Sequence, residues 1–208
     1  ANFRYMKQYL KLNGVIQVDG ILADLGISSH QIDSPERGFS TRFEGPLDMR
    51  MDQKGKLTAA KILNEYPEAD LHKIFGMYGE LKNARTAAKA VIAARAGESL
   101  TTTLELKAAL LPIAPRGKEN KYFAQVFQAL RIEVNQEMQA LEDFLHQCGE
   151  VLKPGGRLVI VTFHSIEDRI VKLFLRARSG NDPAGSRHLP KAPKGAAPTF
   201  EPPLAAMA

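Results

Sequence analysis

Two short apolar runs in the sequence have the pattern of buried β-strands. The first begins at Gly20 and ends in Asp24-Leu25-Gly26, and the second follows the turn Pro154-Gly155-Gly156. Both runs are nearly continuous, without the alternation of a half-exposed strand, and the second is rich in β-branched residues. This pattern predicts parallel strands at residues 20–25 and 157–163 of one sheet, which we expect to be covered on both faces.

The stretch before the second strand has the periodicity of one long amphipathic helix. Its apolar residues recur at three- and four-residue steps and form one stripe, namely Phe123, Val126, Phe127, Leu130, Val134, Met138, Leu141, Leu145 and Cys148. Lys153-Pro154-Gly155 ends this helix, because proline and glycine stop helices. A further helix is predicted from Ser165 to about Arg178. Strands that alternate with helices indicate an open α/β sheet.

The connection between the two strands is far longer than a right-handed crossover requires. Short helices are predicted within it at residues 58–65, 68–77, 82–97 and 102–111. Residues 34–115 are therefore predicted to form an inserted helical subdomain. At the other end of the chain, half of the 12 prolines lie in residues 179–208, without helical or strand periodicity. These residues are predicted to be a flexible, basic, proline-rich tail.

Composition and charge narrow the range of functions. No apolar run is long enough to span a membrane, and the N-terminus does not have the pattern of a signal peptide. The single cysteine, Cys148, excludes an intramolecular disulfide and fits a reducing cytoplasm. Residues 153–208 carry 9 basic and 4 acidic residues, which accounts for the whole net charge of +5. A basic end suits a polyanionic partner, although an ordinary solvated surface explains it equally well.

Candidate chemistry lies where the first predicted strand ends, since ligands of open α/β sheets bind beyond the carboxyl ends of the strands. Asp24 offers an acceptor, Gly26 allows close approach of the backbone, and further polar groups come from Ser28, Ser29 and Gln31. The alternative is a turn in which these side chains satisfy nearby backbone groups.

The second strand and the following loop supply further candidates. His164 and Ser165 end the second strand, at the same edge of the sheet as Asp24.

Arg37, which follows the first strand, is a candidate phosphate contact, or else an ordinary surface or ion-pair arginine. The spacing of Asp33, Asp48 and Asp52 fits no compact calcium or zinc motif, so we expect no essential metal.

Six segments, in this order and spacing, resemble the bacterial family of ribosomal RNA cytosine-N4 methyltransferases known as RsmH or MraW. They are Asp19–Ser29, Glu36–Ser40, Pro46–Asp52, Tyr78–Glu80, Gln128–Asn135 and Phe163–Arg169. The resemblance implies a Rossmann-like class I methyltransferase sheet with an inserted helical subdomain. Residues 1–33 and 116–178 would then form the methyltransferase domain, around the insertion at residues 34–115.

The resemblance also implies a reaction. The cofactor would be S-adenosyl-L-methionine, and the substrate the N4 amine of a decoding-centre cytosine in 16S ribosomal RNA of the small ribosomal subunit. Asp24 and Gln31 match cofactor-contacting positions, and Phe3 is assigned to the family's aromatic contact. Asp24 is also the candidate catalytic acceptor for the amine hydrogens. Candidate substrate-binding residues are Ser28, Ser29, His164, Ser165 and Arg37. The resemblance implies a cytoplasmic protein and leaves the oligomeric state open, a homodimer included.

The sequence departs from the family's pattern at both ends. The family's Gly-Gly-His loop with the acidic strand end that follows it, and its Asn-Pro-Arg-x-Arg stretch, do not occur. We therefore expect a chain truncated at both ends that by itself binds the cofactor weakly or not at all. Two other classes stay open: a catalytically inactive RNA- or ribosome-binding relative, and a methyltransferase acting on a small molecule or a protein.

Overall fold

The computed structural model describes residues 2–178 and residue 200, so the predicted tail at residues 179–208 lies outside the described residues except for Phe200. In the described part of the chain, no helix has the length and apolar character needed to cross a membrane. The elements are α1 (Met6–Leu12), β1 (Val18–Asp24), α2 (Ser29–Ile32), α3 (Ala59–Glu65), α4 (Glu68–Met77), α5 (Ala84–Gly97), α6 (Thr103–Leu110), α7 (Glu119–Asn135), α8 (Glu137–Val151), β2 (Leu152–Val161) and α9 (Ser165–Arg178). Short 3-10 helices cover Phe3–Tyr5, Pro35–Arg37 and Leu111–Ile113.

The chain divides into two compact units. Of the described residues, 2–26, 138–178 and Phe200 form one, here called the sheet unit, and residues 27–137 form the other, here called the helical unit. The helical unit lies between the two segments of the sheet unit along the chain. Its bounds differ from the predicted subdomain at residues 34–115, because α7 contributes Phe123, Val126 and Leu130 to the core of the helical unit. That this unit is an insertion into the family's domain stays a prediction.

The two strands pair in parallel, as the sequence predicts. Gly20 to Asp24 run beside Arg157 to Val161, so that Ile21 is the partner of Leu158 and Asp24 of Val161. The register shifts between Val18 and Gly20, where β2 carries extra residues around Pro154-Gly155-Gly156. Because of this irregularity, β2 begins five residues before the predicted start at residue 157.

The expectation that both faces of the sheet are covered is wrong for the described residues. Side chains alternate across a strand, and one face places Ile21, Ala23, Leu158 and Ile160 against the core of the sheet unit. On the other face, Leu22 is 75% exposed and Val159 is 51% exposed. A continuous apolar run does not show which of its faces a helix will cover.

The core of the sheet unit is built by α8 and α9 on the covered face of the sheet. Its fully packed side chains are Leu25, Leu141, Phe144, Leu145, Cys148, Val171 and Phe174. Cys148 has no exposed surface, and burial raises the pKa of its thiol to about 12. It is therefore a packing residue, since a thiol held in its neutral form is a poor nucleophile.

The predicted short helices of the helical unit are confirmed to within two residues at each end, as α3 to α6. The single long helix predicted after them is wrong, because Gln136 separates α7 from α8. Gln136 has φ 49° and ψ 43°, and its backbone N–H bonds to the carbonyls of Ile132 and Glu133. The apolar spacing continues through this left-handed residue, so periodicity alone does not reveal the break.

Residues 35–49, which have no clear periodicity, pack backbone against backbone. Gly38 has φ +69°, and a Cβ at this position would overlap the carbonyl oxygen of Pro46. A Cβ at Gly45 would likewise overlap the carbonyl oxygen of Pro35. The Met49 N–H donates to the Arg37 carbonyl at 3.0 Å, and Met49 itself is fully buried with φ 59°. Glycine is required at both crossing points for lack of space.

We expect Gly38→Ala to destabilise the protein by about 2–4 kcal/mol, because it adds a left-handed alanine to a steric overlap. Gly97→Ala is the matched control, since its Cβ would meet nothing within 4 Å and its φ is not in the left-handed region. Urea denaturation followed by circular dichroism measures both. Equal midpoints for the two variants would contradict the described contact between the loops.

Candidate functional site

The carboxyl ends of β1 and β2 lie side by side in the sheet unit. Asp24 is the register partner of Val161, and the Leu25 N–H donates to the Val161 carbonyl at 3.1 Å. Asp24-Leu25-Gly26 and Thr162-Phe163-His164 therefore leave the sheet at the same edge, as the sequence predicts. In open α/β sheets, this edge is where ligands bind.

Asp24 presents an exposed carboxylate at this edge. Among the described residues, the side chain of Asp24 makes no hydrogen bond and no ion pair. Gly26, two residues on, has φ +92°, and a Cβ there would lie 3.3 Å from the ring of Phe163. Phe163 is 66% exposed, so its ring is accessible beside this open stretch of backbone. The arrangement offers an anionic acceptor and an aromatic surface to a ligand with a positive or amine group.

His164 is turned towards the first turn of α9. Its Nε2 lies 3.3 Å from Oε1 of Glu167, and its Nδ1 accepts from the Glu167 N–H at 3.4 Å. The other carboxylate oxygen of Glu167 accepts from the Phe163 N–H at 2.9 Å. With the His164 side chain only 11% exposed, these contacts fix the loop between β2 and α9. A contact with substrate by His164, or by the exposed Ser165 after it, stays a prediction.

Phe3 lies on the N-terminal segment of the sheet unit. Its ring meets the ring of Phe144 edge-on at a centroid distance of 5.4 Å. The neighbouring Arg4 pairs with Asp143 at 3.0 Å, so this segment is held on α8. The described contacts of Phe3 are thus packing contacts, and its assignment to the cofactor stays a prediction.

In the helical unit, Ser28 and Gln31 cap α2 reciprocally. The Ser28 N–H donates to Oε1 of Gln31 at 3.0 Å, and Oγ of Ser28 accepts from the Gln31 N–H at 3.4 Å. This leaves Nε2 of Gln31 as the group that can reach a ligand, while Ser29 is exposed at the start of α2. The Ser-x-x-Gln spacing of a capping box is visible in the sequence and is a signal from which this cap can be predicted.

The side chain of Arg37 contacts the backbone of the loop that follows Met49. Its Nη2 donates to the carbonyls of Arg50 at 2.7 Å and Met51 at 3.3 Å. The guanidinium lies over the ring of Phe39, 5.6 Å from the centroid. These contacts are with backbone carbonyls and a ring, so among the described residues Arg37 is not the ion-pair arginine of the alternative, and a phosphate contact stays a prediction.

Two further side chains hold the same loop, and sequence reasoning missed both roles. Asp48 forms a two-pronged ion pair with Arg50, at 2.8 Å and 2.6 Å, and the side-chain hydrogen bond from Arg50 lowers the pKa of the Asp48 carboxyl. Asn135, the last residue of α7, accepts from the Met51 N–H at 2.7 Å and donates to the Met49 carbonyl at 2.8 Å. A buried loop with a left-handed residue needs such partners for its backbone.

The chain was compared with known protein families. A model described as the MraW methylase family matches residues 1–202. The chain belongs to the MraW family. Two of the family-like segments, Pro46–Asp52 and Gln128–Asn135, are thus the ones that Asn135 joins through the backbone of Met49 and Met51.

Relatives in the MraW family carry the name ribosomal RNA small subunit methyltransferase H. The chain is 61% identical over 176 residues to that of Cytophaga hutchinsonii, covering 85% of this chain and 59% of the relative. It is 55% identical over 175 residues to that of Flavobacterium psychrophilum, covering 84% and 60%. For Bacteroides thetaiotaomicron the identity is 54% over 176 residues, covering 85% and 58%. The chain therefore spans less than two thirds of the length of these relatives.

The ion pair of Asp48 predicts a pH dependence of stability. Its carboxyl has a lowered pKa in the folded state. The stabilisation is therefore complete above the ordinary aspartate pKa of about 3.9 and is lost as the pH falls through the lowered value. We expect Asp48→Asn to cost about 1–2 kcal/mol at neutral pH and to flatten the acid limb of the stability curve.

Urea denaturation at a series of pH values measures this effect. Asp33→Asn is the control, because Asp33 is exposed and has no ion pair among the described residues. An acid limb that is the same in Asp48→Asn and in the unmodified protein would show that the pair contributes nothing.

Proposed function

We propose that the protein is an S-adenosyl-L-methionine-dependent methyltransferase that acts on the N4 amine of a cytosine in the ribosomal RNA of the small subunit. Membership of the MraW family and the names of the relatives support the class of reaction and substrate. The observation that carries the assignment of the site is the exposed carboxylate of Asp24 at the shared edge of the two strands. A ribosomal RNA substrate implies a reaction in the cytoplasm.

The residues at this edge fit the proposed cofactor in chemical terms. S-adenosyl-L-methionine supplies an electrophilic methyl group on a sulfonium, and it also carries an ammonium and an adenine. The Asp24 carboxylate can accept hydrogen bonds from an ammonium or a hydroxyl group. The exposed ring of Phe163 offers an aromatic surface to a cation or to a flat base, next to the open backbone at Gly26. The family resemblance also assigns Gln31 to the cofactor, and its Nε2 is a donor.

The proposed reaction places a second demand on Asp24. The lone pair of cytosine N4 is delocalised into the ring, so the amine becomes nucleophilic only when the geometry and hydrogen bonding favour localisation. A carboxylate oxygen that accepts from one N4–H would support this change, and it would take the proton that the amine loses when the methyl group leaves the sulfur, as a neutral thioether, for the nitrogen. Asp24 meets this demand if it faces the amine, and it binds the cofactor if it faces the ammonium.

The remaining candidates serve the RNA in this proposal. His164 and Ser165 follow β2 at the edge that bears Asp24, within reach of a base that is flipped out of its stack. Ser28 and Ser29 offer hydroxyl groups at the start of α2, and Arg37 a guanidinium. Two of these five candidates, Ser29 and Ser165, are exposed and also lie in the first turn of a helix.

We expect Asp24→Asn to reduce methyl transfer by about 100-fold or more, because the amide cannot take the proton and loses a charge-assisted hydrogen bond. Asp19→Asn is the matched control, since it lies on the same strand at the opposite end, where its carboxylate meets Lys153 at 2.8 Å. The assay follows labelled methyl groups from S-adenosyl-L-methionine into isolated small ribosomal subunits, with the full-length protein.

Calorimetry of cofactor binding separates the two roles of Asp24. A lower kcat with unchanged cofactor affinity assigns Asp24 to the amine, and a weaker cofactor complex assigns it to the cofactor. Unchanged transfer by a folded Asp24→Asn variant would remove Asp24 from the site. A loss of activity as large in Asp19→Asn would show that the effect belongs to the strand and not to its carboxyl end.

A further inference from the structure

One region of the helical unit is strongly basic. Residues 82–121 carry eight basic and three acidic residues, although the whole chain has a net charge of only +5. Helix α5 includes Arg85, Lys89 and Arg95 and no acidic residue. A sum of charges along the chain places the basic excess in residues 153–208, because the acidic residues elsewhere in the helical unit balance this region.

The fold brings two parts of this region together. The Asn83 side chain, just before α5, donates to the Ile113 carbonyl at 3.2 Å, in the 3-10 turn that precedes α7. Burial raises the pKa of the Tyr122 phenol in the first turn of α7, and its hydroxyl has no hydrogen-bond partner among the described residues. Asn83 thus joins the start of α5 to the 3-10 turn that leads into α7. The lysines and arginines that flank this contact in the sequence therefore lie on neighbouring segments, and we treat their exposed side chains as one surface.

Six of the eight basic side chains are exposed on this surface. They are here called the basic junction: Lys82, Arg85, Lys89, Arg116, Lys118 and Lys121. The other two are engaged elsewhere. Arg95 donates to the carbonyls of Leu63 and Tyr66, and Lys107 donates to the Thr41 carbonyl.

The charges of the basic junction are not held in ion pairs among the described residues. None of its six side chains makes an ion pair or a hydrogen bond there. The nearest acid in the sequence, Glu119, accepts from the Gly117 N–H at 2.9 Å, and these backbone hydrogen bonds lower the pKa of its carboxyl. In contrast, Arg50 and Arg131 of the same unit each hold a carboxylate. Exposed and uncompensated cations attract polyanions, because bound counterions are released when phosphates replace them.

We propose that the basic junction binds the phosphodiester backbone of RNA, as an anchor that is independent of sequence. The identity of the polyanion rests on the proposed function, but none of the six residues of the basic junction is among those assigned to methyl transfer. A protein interface would need an apolar centre. The exposed face of α5 presents Arg85, Thr86 and Lys89 instead, which suits phosphate contacts better than a folded partner.

The test compares two triple variants of equal charge. Lys82→Gln/Lys118→Gln/Lys121→Gln alters the basic junction, and Lys56→Gln/Lys61→Gln/Lys73→Gln removes three exposed lysines from other parts of the helical unit. Fluorescence anisotropy measures the binding of labelled poly-uridine RNA to the chain over a range of salt concentrations. We expect the junction variant to bind about tenfold or more weakly and its salt slope to fall by about 2, at roughly 0.7 for each lost phosphate contact on a single strand.

Three results would overturn the proposal. The first is an equal loss of affinity in both triple variants, which would show an effect of net charge alone. The second is unchanged RNA binding by a junction variant whose circular dichroism shows it folded. The third concerns poly-glutamate: if it competes with RNA at equal charge, and the junction variant binds it as much more weakly as it binds RNA, the result would indicate an acidic protein partner.

The two proposals can fail separately. If the unmodified protein transfers methyl groups and its junction variant binds RNA normally, only the proposed anchor is refuted. An unmodified protein that binds RNA through the junction, but transfers no methyl group to it, would refute only the proposed function.

Discussion

The parallel ladder between β1 and β2 is the constraint on which the candidate site depends. It pairs residues as far apart in the chain as Gly20 and Arg157. Its register sets Asp24 opposite Val161, and thereby brings the Phe163 ring next to Gly26. A slip of one residue would turn every side chain to the opposite face. Ile21 and Leu158 would then leave the core, so the burial of α8 and α9 against the sheet also holds the site in register.

The sequence predicts the elements of this protein better than it predicts their contacts. Strands and short helices followed from apolar spacing, and the shared edge of Asp24 and His164 followed from parallel pairing. The break at Gln136 did not, because a left-handed glutamine leaves the apolar spacing intact. The exposed face with Leu22 did not either, since an apolar run shows what can be buried and not which helix covers it. The contacts of the loop around Gly38 are between backbones, and side-chain patterns do not report them.

Motif resemblance does not separate scaffold residues from ligand residues. Arg37 and Asn135 belong to segments that match the MraW family, and in the structure both bind backbone groups of the loop around Met49. Ser28 and Gln31 also match, and they cap a helix. Asp24 differs from these because its carboxylate meets solvent and no described partner. Of these side chains, the one that makes no structural contact, Asp24, is therefore the most available to a ligand.

Because Cys148 is buried, the reactivity of its thiol can serve as a probe of local unfolding. It is the single cysteine of the sequence, and it lies in the core between the sheet, α8 and α9. A thiol reagent can reach it only when these layers separate, so the rate of labelling reports local unfolding of the sheet unit and not of the helical unit. Dyes for distance measurements can likewise be attached at a cysteine introduced on the surface, with the native thiol left in place and silent under native conditions.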